Sequence, residues 1–234
     1  MKKKVVAGIV VMLVLVLLLP VSLRLKDGGK NTMNEEQKSY ACIAEILKKY
    51  GISGITDEML NELEEGYAKL PPEILFDKTA TLLSVLGSGT INYDTWEFTP
   101  SENGVYSFDA EVFDVGNMYT NFLRGISAIG GEELVFTDIQ EDTSDVDWEE
   151  GTGRRTVSFQ WNGNSYTLEA EAMSDWFDFS VADELNKIIM AGGNGKQLFF
   201  ASDGYQECIV FYCDADWAEA FEKETGLSLS GSAS

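Results

Sequence analysis

The chain has 234 residues, 44% of them hydrophobic, with 39 acidic against 17 basic side chains, a formal charge of −22, three cysteines and no histidine. Without histidine there is no Ser-His-Asp or Cys-His arrangement, no helical His-Glu-x-x-His zinc site and no imidazole base, so acid-base chemistry would fall to carboxylates, Lys, Tyr or Cys. The negative charge repels a phosphate backbone, so no nucleic-acid binding is expected, whereas a basic partner or a metal cation would be attracted.

Lys2, Lys3 and Lys4 precede an uncharged apolar run over residues 5–23, closed by Arg24 and Lys26. At ~1.5 Å per residue a helix of that length spans roughly 28 Å, the thickness of a hydrocarbon core. The residues after it lack the small side chains of a cleavage site, so residues 1–26 are expected to form a retained transmembrane helix rather than a cleaved signal. A short basic leader tends to stay inside, which places the bulk of the chain on the extracytoplasmic side of the cell membrane. Residues 27–34 are polar, carry two glycines and read as a tether.

Residues 35–90 carry three short helical patterns. Tyr40, Ile43, Ala44, Leu47 and Tyr50 recur at helical spacing, and Gly51 stops the first helix. Thr56 caps a second helix with Met59, Leu60, Leu63 and Tyr67 on its stripe, ended by Pro71 and Pro72. A third runs over 73–86 and breaks at Gly87-Ser88-Gly89.

Residues 91–227 read as one α+β domain with an antiparallel-rich sheet packed on helices. From Tyr106 the period becomes two: Tyr106, Phe108, Ala110 and Val112 face one way, and Ser107, Asp109 and Glu111 face the other, towards solvent. A helix over 117–129 follows, then strands over 134–139, 156–161 and 166–173, a helix over 181–191, strands over 197–201 and 208–212, and a helix over 215–225. Residues 228–234 are expected to be a flexible tail. Asn162-Gly163 suits a two-residue hairpin turn. It pairs Trp161 with Asn164, Phe159 with Tyr166, Val157 with Leu168 and Arg154 with Glu171, collecting the apolar side chains on one face. Tyr106-Ser-Phe-Asp-Ala-Glu111 echoes Tyr166-Thr-Leu-Glu-Ala-Glu171, and each is followed by a helix ending in Gly-Gly and by two strands. Two βαββ halves result, read either as an internal duplication or as the family look of half-buried strands.

Several patterns bear on possible chemistry. Residues 138–150 hold seven carboxylates, but counted from Asp145 the sixth and twelfth positions are Glu150 and Thr156, so the calcium-loop pattern fails and a solvated loop is the plainer reading. Asp109, Glu111, Glu169 and Glu171 would share a surface if their strands lay in one sheet, as glycosidase carboxylates do, yet exposure would leave them poor acids. Gly192-Gly-Asn-Gly-Lys196 departs from a phosphate loop at both ends and runs from helix to strand. Cys208 and Cys213 are too far apart on one extended segment to bridge, and buried free thiols are expected, with Cys42 as an open third. Trp161 is expected in the core, Trp148 and Trp176 on the surface.

The functional expectation is a non-enzymatic, membrane-anchored, acidic extracytoplasmic module without cofactor, binding a basic protein partner through Asp145, Asp147, Trp148, Glu149, Glu150, Glu169, Glu171 and Trp176. The alternatives are a carboxylate-dependent hydrolase acting on cell-surface glycans and a calcium-dependent binding module.

Overall fold

Residues 38–71, 76–203 and 206–233 are described by the computed structural model. The anchor and tether expected at 1–34 lie outside these residues; among the described residues no helix is long and apolar enough to cross a membrane.

The structure is α+β with antiparallel sheets. Three helices come first: α1 (Tyr40–Lys49), α2 (Asp57–Ala68) and α3 (Lys78–Gly87). Ser39, Thr56 and Asp77 cap them, each side-chain oxygen accepting an amide of the first turn. The third begins at Lys78, because Asp77 takes the amides of Thr79 and Ala80 and so fixes the start. A small hairpin follows, β1 (Thr90–Asn92) and β2 (Glu97–Thr99), which the sequence pattern did not announce.

Then come β3 (Tyr106–Asp109), α4 (Met118–Gly130), β4 (Thr137–Asp142), β5 (Val146–Asp147) and β6 (Thr152–Trp161). The chain continues with β7 (Asn164–Glu171), α5 (Ser180–Ala191), β8 (Lys196–Ser202), β9 (Glu207–Asp214) and α6 (Ala215–Thr225). One sheet has the order β3-β9-β8; the other pairs β6 with β4, β5 and β7. Each strand-helix-strand-strand run therefore lends its first strand to the sheet built by the other run's last two.

Helices α4 and α5 lie between the sheets, and their apolar faces meet Val157, Phe159, Trp161 and Leu168 of one sheet and Tyr106, Leu198, Phe200 and Val210 of the other. The opposite face of the β3-β9-β8 sheet is also apolar (Phe199, Ile209, Phe211) and is covered by α1, α3 and α6. The first three helices are thus part of this core rather than a segment set before the domain. This double cover corrects the expected solvent face of β3: Ser107 is 2% exposed and donates to the Ser84 carbonyl of α3. Strand β4 starts three residues late, because Leu134 and Phe136 are buried in the connection leading to it. The tail docks too, with Ser230 and Phe200 exchanging backbone hydrogen bonds at 2.8 Å along the free edge of β8.

The β6-β7 register is the one expected from the Asn162-Gly163 turn, from Trp161 opposite Asn164 to Arg154 opposite Glu171. Arg155 falls on the apolar side of that hairpin and is fully buried.

Candidate functional site

Beyond β3 the chain leaves its sheet and crosses towards the other. Ala110 accepts from the Phe177 amide, Glu111 pairs with Trp176, and the Val112 amide donates to Asp175 at 2.7 Å. This crossing segment places Phe113 at the surface, where its ring lies 5.0 Å from that of Trp96 on the β1-β2 hairpin. Tyr93 stands edge-on to Trp96 at 6.2 Å. Trp96 sits at φ 59°, and its amide turns back to the Asn92 carbonyl at 2.6 Å, which closes the hairpin tip and leaves the indole outside.

The acidic loop after β4 approaches from the other side. Asp147 folds it tightly, its side chain accepting the amides of Glu149 and Glu150 and its carbonyl the amide of Gly151. Gly153, at φ 122°, leaves no room for a Cβ against the Asp145 carbonyl, so the loop can re-enter β6 there only with glycine. The Ser174 amide then donates to the Gly151 carbonyl at 2.8 Å, tying this loop to the 173–176 turn. Trp148 and Trp176, 54% and 45% exposed, therefore stand on two joined turns. Between the turns is a cleft of ≈ 260 Å³ lined by Val115, Val146, Trp148, Ala172, Ser174 and Asp175.

Arg155 supports this region from beneath. Its guanidinium lies 5.1 Å from the Trp148 ring and 5.9 Å from that of Tyr119. Nη1 donates to the Val115 carbonyl at 2.5 Å and to Glu141 at 3.1 Å. Glu141 also accepts the amides of Tyr119 and Thr120 and the Thr120 hydroxyl at the start of α4. Burial pushes the Glu141 carboxyl up, while the Thr120 amide and Arg155 pull against it. One member of the acidic run is therefore a buried structural group, invisible to a reading of 138–150 as solvated loop.

Six of the eight large hydrophobic side chains that are exposed among the described residues belong to this region: Tyr93, Trp96, Phe113, Trp148, Met173 and Trp176. Sequence reasoning found the two loop tryptophans from their acidic neighbours but missed Tyr93, Trp96 and Phe113, which only the crossing segment brings together.

The remaining expected residues lie elsewhere. Glu169 and Glu171 project from the outer face of β7, Glu169 facing Arg154 at 3.5 Å. Strands β3 and β7 are in different sheets, so Asp109, Glu111, Glu169 and Glu171 form no common surface. Asp109 instead lies opposite Glu207, which is 6% exposed. Burial, with Asp109 and Asp203 adding to it, pushes the Glu207 carboxyl up to about 7. A surface depression between β7 and α5 is lined by Thr167, Glu169, Ser180, Glu184 and Lys187 among others, away from that pair.

Among the described residues no cluster of three or more His, Cys, Asp or Glu side chains is placed to hold a metal ion. Lys196 is engaged by Glu133 at 2.6 Å, so the glycine run before it serves as a helix end and turn. All three cysteines are free thiols. Cys208 and Cys213 are buried, which pushes both thiols up to about 12; Cys42 is exposed. No known family model matches the chain, and no curated protein or solved structure is significantly similar to it.

Proposed function

We propose that the protein is a non-enzymatic protein-interaction module, held at the cell membrane by residues 1–26 with its folded part outside the cytoplasm, and that it binds a basic partner through the aromatic surface around residues 111–115. The observation that carries this reading is the gathering of Tyr93, Trp96, Phe113, Trp148, Met173 and Trp176 on adjoining turns. Exposed aromatics gathered on adjoining segments mark an interface, since burying them against a partner is favourable and leaving them in water is not.

The charge around them selects the partner. Residues 79–123, 125–153 and 156–186 contain no Lys or Arg, whereas Asp94, Glu97, Glu111, Asp114, Asp145, Asp147, Glu149, Glu150 and Asp175 lie on the segments that present the rings. Such a surface steers a basic protein and repels an acidic one. Glu169 and Glu171, on the β7 face, extend the negative field without touching the aromatic patch. The exchanged strands of the two sheets support an internal duplication as the origin of the fold.

Photo-crosslinking tests the surface. A benzoylphenylalanine at position 96 or 176 should capture a basic protein in the native membrane, and the same group at Met190, somewhat more exposed on α5, should not. Equal capture at all three positions would sink the proposal.

A further inference from the structure

We infer that the cleft between the Trp148 loop and the 173–176 turn is the subsite for a single cationic side chain of the partner, lysine or arginine. The inference rests on the reading above and adds which groups take the side chain. Val115, Val146 and Ala172 give the cleft apolar walls, suited to the methylene stem of such a residue. The half-exposed Trp148 ring offers a face to the charged head. Its inner side already carries a cation, since the Arg155 guanidinium lies 5.1 Å away, but Glu141 at 3.1 Å balances that charge and leaves the outer side open to a second.

Ser174 and Asp175 supply the polar end. The Asp175 carboxylate has no hydrogen-bond or ion-pair partner among the described residues, and it is held in place through its own backbone, whose carbonyl accepts from Val112. A carboxylate, a hydroxyl and an indole around an apolar slot match an ammonium or guanidinium on an aliphatic stem. An acidic side chain would be repelled by Asp175, an apolar one would leave it unpaired, and a neutral polar one would offer a hydrogen bond without the charge. The field of Asp145, Asp147, Glu149 and Glu150 on the adjoining loop has the same preference.

The test is a titration of the isotope-labelled full chain in zwitterionic micelles with the acetyl-methylamide derivatives of lysine, arginine and norleucine. The lysine or the arginine derivative should shift the Trp148 indole N–H and the Asp175 amide saturably, and norleucine should not. Asp175→Asn should weaken the response about fivefold, as expected for loss of one partly exposed ion pair, and Trp148→Ala should remove it. Equal shifts with norleucine, or a response indifferent to Asp175→Asn, would overturn the inference. Binding of decalysine to the same proteins separates the two levels of the account: if it binds wild type and Asp175→Asn alike, the cleft is wrong and the wider surface stands. If it binds neither protein, the wider reading falls as well.

Discussion

The guanidinium of Arg155 and the carboxylate of Glu141 meet at 3.1 Å, with 1% and 4% of their side chains exposed. Through Nη1, Arg155 also holds the Val115 carbonyl, and through Glu141 the first amides of α4 are satisfied. One ion pair thus joins β4, β6, the start of α4 and the crossing segment beneath Trp148. Removing one member leaves the other charged and buried, which costs about 3–5 kcal/mol. Arg155→Met and Glu141→Leu should each show that loss in urea unfolding. Because Arg155 Nη2 has no partner among the described residues, the double replacement should cost clearly less than the two single losses added together.

The pH profile of stability should carry the mark of Glu207. Its carboxyl is raised by burial from 4.5 to about 7, so the fold favours the protonated acid. The neighbouring Ser107 hydroxyl pulls the other way, and burial outweighs it. Below pH ~4.5 the acid is protonated folded and unfolded, and its contribution is fully present; it is lost as pH rises through the folded value, by about 3 kcal/mol at ~1.36 kcal/mol per unit. The thermal midpoint should therefore fall between about pH 5 and pH 8. Glu207→Gln should flatten that fall and raise the midpoint on the alkaline side.

Helix α4 should not tolerate a side chain at Gly125. A Cβ there would overlap the ring of Tyr106, a buried neighbour on β3 with no space to retreat. Gly125→Ala, stabilising in an open helix, should here cost about 1–3 kcal/mol from overpacking. Calorimetry of the variant reads the sign directly, and a raised midpoint would mean that α4 is not seated on β3 as described.

How far the sequence spoke for the structure depends on whether a feature is local. The β6-β7 hairpin was legible because its turn and alternation agree within eighteen residues. Helix α6 was legible at both ends, where Asp214 caps the Trp217 amide and Gly226 takes φ 81°. The covering of β3 on both faces was not, since Ser107 and Asp109 alternate as solvent residues would, and it is the packing of α3 that buries Ser107. Arg155 was missed for the same reason. Its pattern reads as a strand charge, and the partner that makes burial tolerable is fourteen residues away on another strand. The aromatic surface was half legible: Trp148 and Trp176 announced themselves by their acidic neighbours, but Phe113 meets Trp96 only after the chain crosses between sheets.

The acidic loop should contribute charge rather than fold. Replacing Asp145, Asp147, Glu149 and Glu150 by Asn or Gln keeps an acceptor at position 147 for the amides of Glu149 and Glu150. Exposed charges add little to stability, so unfolding should move by less than about 1 kcal/mol. Addition of calcium should shift the melting temperature of neither protein; a calcium-induced rise in wild type that the quadruple variant lacks would revive the metal-binding alternative.

The most direct measurement of the central claim is the association rate of the crosslinked partner with wild type, with Trp96→Ala/Phe113→Ala/Trp176→Ala, and with Met190→Ala, at low and physiological salt. Screening over ~8 Å at physiological salt should slow wild-type association markedly. The triple aromatic variant should dissociate at least tenfold faster, about the loss of 1.4 kcal/mol, with its unfolding unchanged, and Met190→Ala should match wild type. A partner whose rates ignore both salt and the three aromatic replacements would contradict the account.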